Sequence, residues 1–429
     1  MTRTPLFAAA VLVAAAIAGL RVTTAATDAT ATLAVAGRAN ATPSIAADAG
    51  RVVVAWSATA GGATDIYVAS STDAGRTFAA PVRVNDVAGN ANVSGEQPPR
   101  VVLIPPNAGA DLQVRPSIVV VWTAKAPSGT RVVSARSDDA GKSFGKARAI
   151  AGGEAAGNRG WESAAVAADG RVLSVWLDHR ELASAPGSGA AMAHDHLHMQ
   201  KTDGVAKAQL SKLYFSDGVS GARALAAGVC YCCKTSLAAA ADGAVYAVWR
   251  HVYPGNVRDI AFTRSRDGGK TFAEPIRVSE DRWALDGCPE NGPAVATAGH
   301  QVVVVWPTLV PGVGGAEPAM QLFYASTTDG SRFTPRAPLP TEGVPRHPQV
   351  VAFADGSLVA AWDEAVSGRR RVVLASRGPS SPAFVGRRVV ADADSAEYPA
   401  VAAAGATAVV AWKSGNAERS VIHVARVVR

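Results

Sequence analysis

An apolar run that ends in tryptophan recurs along the chain: VVVAW at Trp56, IVVVW at Trp122, VLSVW at Trp176, VYAVW at Trp249, VVVVW at Trp306, LVAAW at Trp362 and AVVAW at Trp412. The seven copies stand 50 to 73 residues apart. A short apolar segment and a tight glycine turn precede most of them, as in SAAVAADGR, TSLAAAADGA and PQVVAFADGS, and such turns join antiparallel strands. A third strand and another turn follow, as in DIYVASSTDAGRTF and DIAFTRSRDGGKTF, and then a short fourth strand, PVRV or PIRV. Each unit is therefore predicted to be a four-stranded antiparallel meander.

Self-similarity at such a period fixes a whole fold. The prediction is an all-β chain, a β-propeller whose radially repeated blades leave only short strand edges unprotected. Seven blades are expected, six if one weak unit is an appendage. The last unit stops after its third strand, SVIHVARVV, so its outer strand is expected from TATLAVAG, Thr30 to Gly37, closing the ring.

Within the units, STDAGRTF (Ser71 to Phe78), SDDAGKSF (Ser137 to Phe144) and SRDGGKTF (Ser265 to Phe272) follow the Asp-box, or BNR, repeat Ser-x-Asp-x-Gly-x-Thr-aromatic, and TTDGSRF (Thr327 to Phe333) is a degenerate copy. On these motifs the chain resembles the sialidase-like propeller superfamily. The motif is a hairpin turn: Ser and Asp side chains bond turn amides, glycine supplies the positive φ, and the ring packs into the blade. The resemblance thus speaks for architecture. A sialidase would further need an arginine cluster for the substrate carboxylate, a Tyr and Glu nucleophile pair and an Asp acid/base. The place of the first family arginine reads Ala41-Thr42-Pro43 here, and no matching Tyr and Glu constellation stands out. Arg100, Arg159, Glu162, Asp178, Arg180, Arg250, Tyr253, Glu290, Arg346, Glu397 and Tyr398 fall near the right face; each is read first as a loop residue bonded to neighbouring backbone.

The meander sorts its loops between two faces. Turns joining first to second and third to fourth strands share one face with the Asp boxes, while links between blades and loops between second and third strands lie on the other. That other face collects the unusual residues. GVCYCCKTS, with Cys230, Cys232 and Cys233, enters the fourth blade, and Cys288 in LDGCPENGP enters the fifth. An insert in the third blade, at about 178–211, carries His179, Met192, His194, His196, His198 and Met199, while His251, Met320 and His347 lie in other loops of the same face.

Thiolate, thioether and imidazole donors together suit soft and borderline ions. The candidate metal ligands are Cys230, Cys232, Cys233, Cys288, His194, His196, His198 and Met199, with a copper ion favoured and zinc second. In an extended segment Cys230 and Cys232 point one way and Cys233 the other, so convergence requires a bend. Disulfides are the competing reading. Four cysteines allow three pairings; the adjacent Cys232 and Cys233 are poor partners for each other, and Cys288 joined to one of the three would staple neighbouring blades and leave two thiols.

Composition sharpens the compartment. MTRTPLFAAAVLVAAAIAGLRVTTAATDA has a basic start, an apolar core and small residues near Ala25 and Ala26, the pattern of a secretory signal peptide. Residues 1–26 are expected to be that peptide and 27–429 one propeller domain in a periplasmic or secreted protein, where disulfides are permitted. The apolar run is short for a membrane span. The net charge of +7 is dispersed, with GRRRV at Gly368 to Val372 its one compact run, and no aromatic interleaving points to nucleic acid. The reading is a monomeric, exported, non-catalytic propeller whose partner is a metal ion or a metal-handling protein. Exo-sialidase or related glycoside hydrolase activity is the alternative; a third reading is a protein- or glycan-binding propeller with its cysteines in disulfides.

Overall fold

The computed structural model describes residues 30–48, 50–106, 116–184, 204–312 and 314–428. They form seven four-stranded antiparallel sheets, six of them built from four consecutive strands in chain order. The inner, first strands are Ala39–Ala47, Arg100–Ile104, Arg159–Val166, Ser236–Ala239, Ala294–Ala298, Val344–Ala352 and Glu397–Ala404. Neighbouring inner strands lie side by side around one axis, and the sheets radiate from it as blades 1 to 7. The ring closes as the sequence requires: Ala31–Leu33 is the outer strand of blade 7, pairing antiparallel with Ser420–Val428 so that Ala31 lies opposite Val424. Joining the two ends of the chain in one sheet leaves the ring without a seam.

Each recurring tryptophan ends the second strand's apolar run and is buried, Trp412 at 4% exposure and the other six at 1% or less. A buried indole N–H usually finds an acceptor, and most of these do, although that of Trp122 has none. Trp176 and Trp362 donate to Asp178 and Glu364 two residues on, at 3.2 and 3.0 Å, and Trp56 donates to Asn40 at 2.9 Å. The apolar core is divided into layers between blades. One layer packs Ile66 and Val68 of blade 1 against Ile118, Val120 and Trp122 of blade 2; another packs Val248 and Phe262 of blade 4 against Val304 and Trp306 of blade 5.

The Asp boxes form the turns predicted for them. In blade 1, Ser71 Oγ donates to Asp73 at 2.7 Å and accepts from the Gly75 amide at 2.9 Å, while Asp73 accepts from the amide and hydroxyl of Thr77 at 2.9 and 2.6 Å. The same pattern recurs around Asp139 and Asp267. These bonds, led by the serine hydroxyl for Asp73, hold the carboxyls well below their ordinary range.

On the opposite face the inner strands carry bulges. Register slips between Ala41 and Ser44, Gly160 and Ser163, Arg346 and Gln349, and Glu397 and Ala400. At each slip one non-glycine residue, Thr42, Trp161, His347 or Tyr398, takes φ between +51° and +55°. A bulge re-aims the side chain that it carries, and here four equivalent bulges do so at corresponding places around the axis. The insert of blade 3 starts and finishes in short helices, Arg180–Ser184 and Gly204–Leu210, rather than in solvated loop, with Gly204 and Ala208 buried. The expected signal peptide and His194, His196, His198, Met192 and Met199 lie outside the described residues. Among the described residues no helix is long and apolar enough to cross a membrane.

Candidate metal centre

The link from Ala227 at the end of blade 3 to Ser236 at the start of blade 4 makes a tight turn at Tyr231 and Cys232. It starts at Gly228, whose φ is +73° and whose added Cβ would lie 2.9 Å from His251 Cε1; a side chain there is excluded twice. The turn supplies the bend that alternation along an extended segment denies. Cys230 Sγ lies 3.9 Å from Cys232 Sγ and 3.6 Å from Cys233 Sγ, and the three sulfurs all fall within 4.8 Å of one another. All three residues are buried, at 5% exposure or less. Cys288, partly buried in the link into blade 5, is bonded to Cys232 with Cα atoms 6.3 Å apart, inside the range that a disulfide spans. Cys230 and Cys233 remain thiols. The structure thus brings together the four sequence-predicted cysteines.

The turn is held from three other blades. Glu96, in the link into blade 2, accepts the Lys234 amide at 3.1 Å and the Gly292 amide at 2.8 Å, so one buried carboxylate ties the Cys233 turn to the Cys288 link. Lys234 Nζ donates to Pro348 O of blade 6 at 2.7 Å, and burial lowers that amine to about 8. Thr235 donates through its hydroxyl to Trp161 O of blade 3 at 2.7 Å. Gly292 is required by proximity, since a Cβ on it would stand 2.2 Å from Lys234 O.

Two buried guanidiniums flank the sulfurs. Arg258 donates to Cys230 Sγ at 3.2 Å and to Leu285 O at 3.3 Å, and its Nη2 has no partner. Arg250 is spent on carbonyls, those of Asn291, Arg258 and Pro307. Among the described residues neither forms an ion pair with a carboxylate. Buried charge needs a counter-charge, and sulfur is what faces Arg258. The hydrogen bond from Cys233, followed by the Arg258 and Arg250 charges, holds the Cys230 thiol below its ordinary value against desolvation, while burial pushes Cys233 up. His251 abuts the turn by bridging to Val229, accepts from Trp249 Nε1 at 3.4 Å, and is lowered to about 4 by burial, which keeps it neutral.

The sequence reading missed Glu96, Lys234 and Arg258. No local pattern marks them: Glu96 acts 138 and 196 residues away, and Arg258 reads as an ordinary residue before a strand. The candidates for a glycosidase site are mostly occupied. Arg159 and Asp178 form a fully buried pair at 3.0 Å, closed by Arg180 and by the carbonyls of Thr130, Ala156 and Gly157. Burial raises Glu162 to about 7; one of its oxygens accepts from Thr123 at 2.8 Å and the other is unpartnered. A further buried contact joins His347 to Asp363. His347 Nδ1 meets Asp363 at 2.5 Å, Asp363 binds Arg370 at 2.7 Å, and the His347 ring lies 4.1 Å from that of Tyr398, whose hydroxyl burial raises to about 12.

No protein-family model matches the chain and no curated protein matches it. Solved structures resemble it in fold. An α-L-arabinofuranosidase of family GH93 from Fusarium graminearum, complexed with arabinobiose, is 10% identical over 94% of this chain and 98% of its own, with a TM-score of 0.53. An ulvan lyase of polysaccharide lyase family PL25, bound to a glucuronate–sulfated rhamnose unit, is 11% identical over 92% and 94%, with a TM-score of 0.52. A Hadza microbial sialidase is 13% identical over 85% of this chain and 74% of its own, with a TM-score of 0.46. In fold the chain is a seven-bladed β-propeller like the arabinofuranosidase and the lyase; identities this low carry nothing about activity.

Proposed function

We propose that this is an exported propeller that binds a soft transition-metal ion, copper(I) before zinc, through Cys230, Cys232 and Cys233 with Cys288 as a fourth sulfur. The observation that carries the reading is the packing of three buried sulfurs within 4.8 Å of one another. A tetrahedral ion with metal–sulfur bonds of ~2.3 Å sets its sulfurs roughly 3.8 Å apart, and the two separations from Cys230 are 3.9 and 3.6 Å. The four cysteine donors are sulfur, which favours copper(I) over harder ions. The Arg258 guanidinium supplies the charge that a thiolate site needs and orients Cys230, the part that outer partners play around metal ligands. His194, His196, His198 and Met199 are proposed as further donors from the insert.

Metal analysis on untagged protein reduced and handled without oxygen tests the reading. Stoichiometric copper, with thiols that react only after chelation, is expected for the wild type, and Cys230→Ser should lose the metal while keeping its strand spectrum. Reactive thiols and no metal in the wild type would overturn it.

The Asp363–His347 pair favours a second reading, acid–base action on a glycan. Turnover of fluorogenic sialosides, arabinofuranosides or uronate polymers, abolished in a folded His347→Ala variant, is its test.

A further inference from the structure

The Cys232–Cys288 bond and a bound metal compete for the same sulfurs. In the disulfide, Cys232 and Cys288 are withdrawn, and Cys230 and Cys233 are left as the only thiols. The four sulfurs differ in access. Cys230, Cys232 and Cys233 are buried in the pinned turn, whereas Cys288 is partly exposed in a link whose neighbours Asp286 and Glu290 are exposed.

We propose that this bond is a redox gate on the metal site, with Cys288 as its outward handle. The inference rests on the metal reading above. An external low-molecular-weight thiolate attacks the sulfur of Cys288, the less buried of the two bonded residues; a new Cys288–thiol bond forms, the Cys232–Cys288 bond breaks, and its electron pair leaves with Cys232 as thiolate. That thiolate is released inward, beside Cys230 and Cys233, where the metal binds. A second external thiolate attacks the outer sulfur of the mixed disulfide, frees Cys288 as thiolate, and departs as the external disulfide. Two external thiols are oxidised and two protein sulfurs reduced, and the thiol protons pass to solvent. The reverse sequence, driven by an external disulfide, would expel the ion and close the gate. Exchange of this kind selects its sulfur by access.

The wild-type full chain suffices for the test. Oxidised protein is treated with limiting glutathione, quenched with acid and mapped by peptide mass; separately, oxidised and dithiothreitol-reduced protein compete for copper(I) against a colorimetric chelator without oxygen. Expected are a glutathione adduct on Cys288 and copper(I) binding tighter in the reduced form by more than about tenfold, the least that loss of an outer partner alone costs a metal site. An adduct on Cys232, or equal affinity in the two forms, overturns the gate and leaves the metal reading standing. Copper uptake by neither form overturns both, even with the adduct on Cys288.

Discussion

The two faces of the propeller solve the same problem in opposite ways. On one, the Asp boxes close hairpins with bonds that begin and end inside a few residues, around Asp73, Asp139 and Asp267, and their carboxylates lie at the surface. On the other, the cysteine turn occurs once, is buried, and depends on Glu96, Pro348 and Trp161 from three different blades. The groups that flank it also leave polar atoms unmatched, among them a Glu96 oxygen and Arg258 Nη2. A repeated, locally satisfied loop is architecture; a single loop that gathers buried charge and sulfur costs stability, and such costs are concentrated where a protein does its work.

The largest test of that contrast is Glu96→Ala. It strips two buried amides, those of Lys234 and Gly292, of their acceptor, and each such loss costs about 1–3 kcal/mol. Chemical denaturation should show a stability loss of about 2–5 kcal/mol together with loss of copper uptake, because both cysteine-bearing links are released. Retained uptake at reduced stability would show that the sulfurs converge without their pin.

Glu162 gives a pH signature. Burial raises it to about 7 from an ordinary 4.5, so between those values the folded state holds a proton that the unfolded chain has lost. Stability contributed by this group therefore falls as pH rises through that window. Glu162→Gln cannot ionise, and its stability relative to the wild type should grow by roughly 2–3 kcal/mol across the window. A flat difference curve from paired urea titrations would mean that Arg100 already neutralises Glu162.

The smallest effect is expected on the repeated face. Asp73→Ala removes turn bonds at the surface and should lower stability only slightly in chemical denaturation, and a double variant with Asp267→Ala should be additive because the two sites share no partner. Copper binding should be unchanged in both. A change in binding would join the two faces that the comparison separates.

Much of this was legible beforehand, for a physical reason. The Trp-terminated runs, the glycine turns and the Asp boxes are local patterns, and each records a local event: burial of a strand, reversal of the chain, satisfaction of a turn. Seven such events in series leave a ring as the economical way to protect the edges, and the truncated last unit identifies Thr30 to Gly37 as the missing strand. The bulges at Thr42, Trp161, His347 and Tyr398 were not legible, because their residues share no chemistry; what they share is a position on the axis.

The sequence by itself determined the blades, their number within one, the closing strand and the face on which Cys230, Cys232, Cys233 and Cys288 would lie. Only the tertiary structure decided that Cys232 is the partner of Cys288, that a turn aims Cys230 and Cys233 at the same space, and that Glu96 and Arg258 serve them. Strand formation is governed by neighbours along the chain, whereas these contacts form between links brought together by closing the ring, and the ring brings Glu96 to Gly292 across 196 residues.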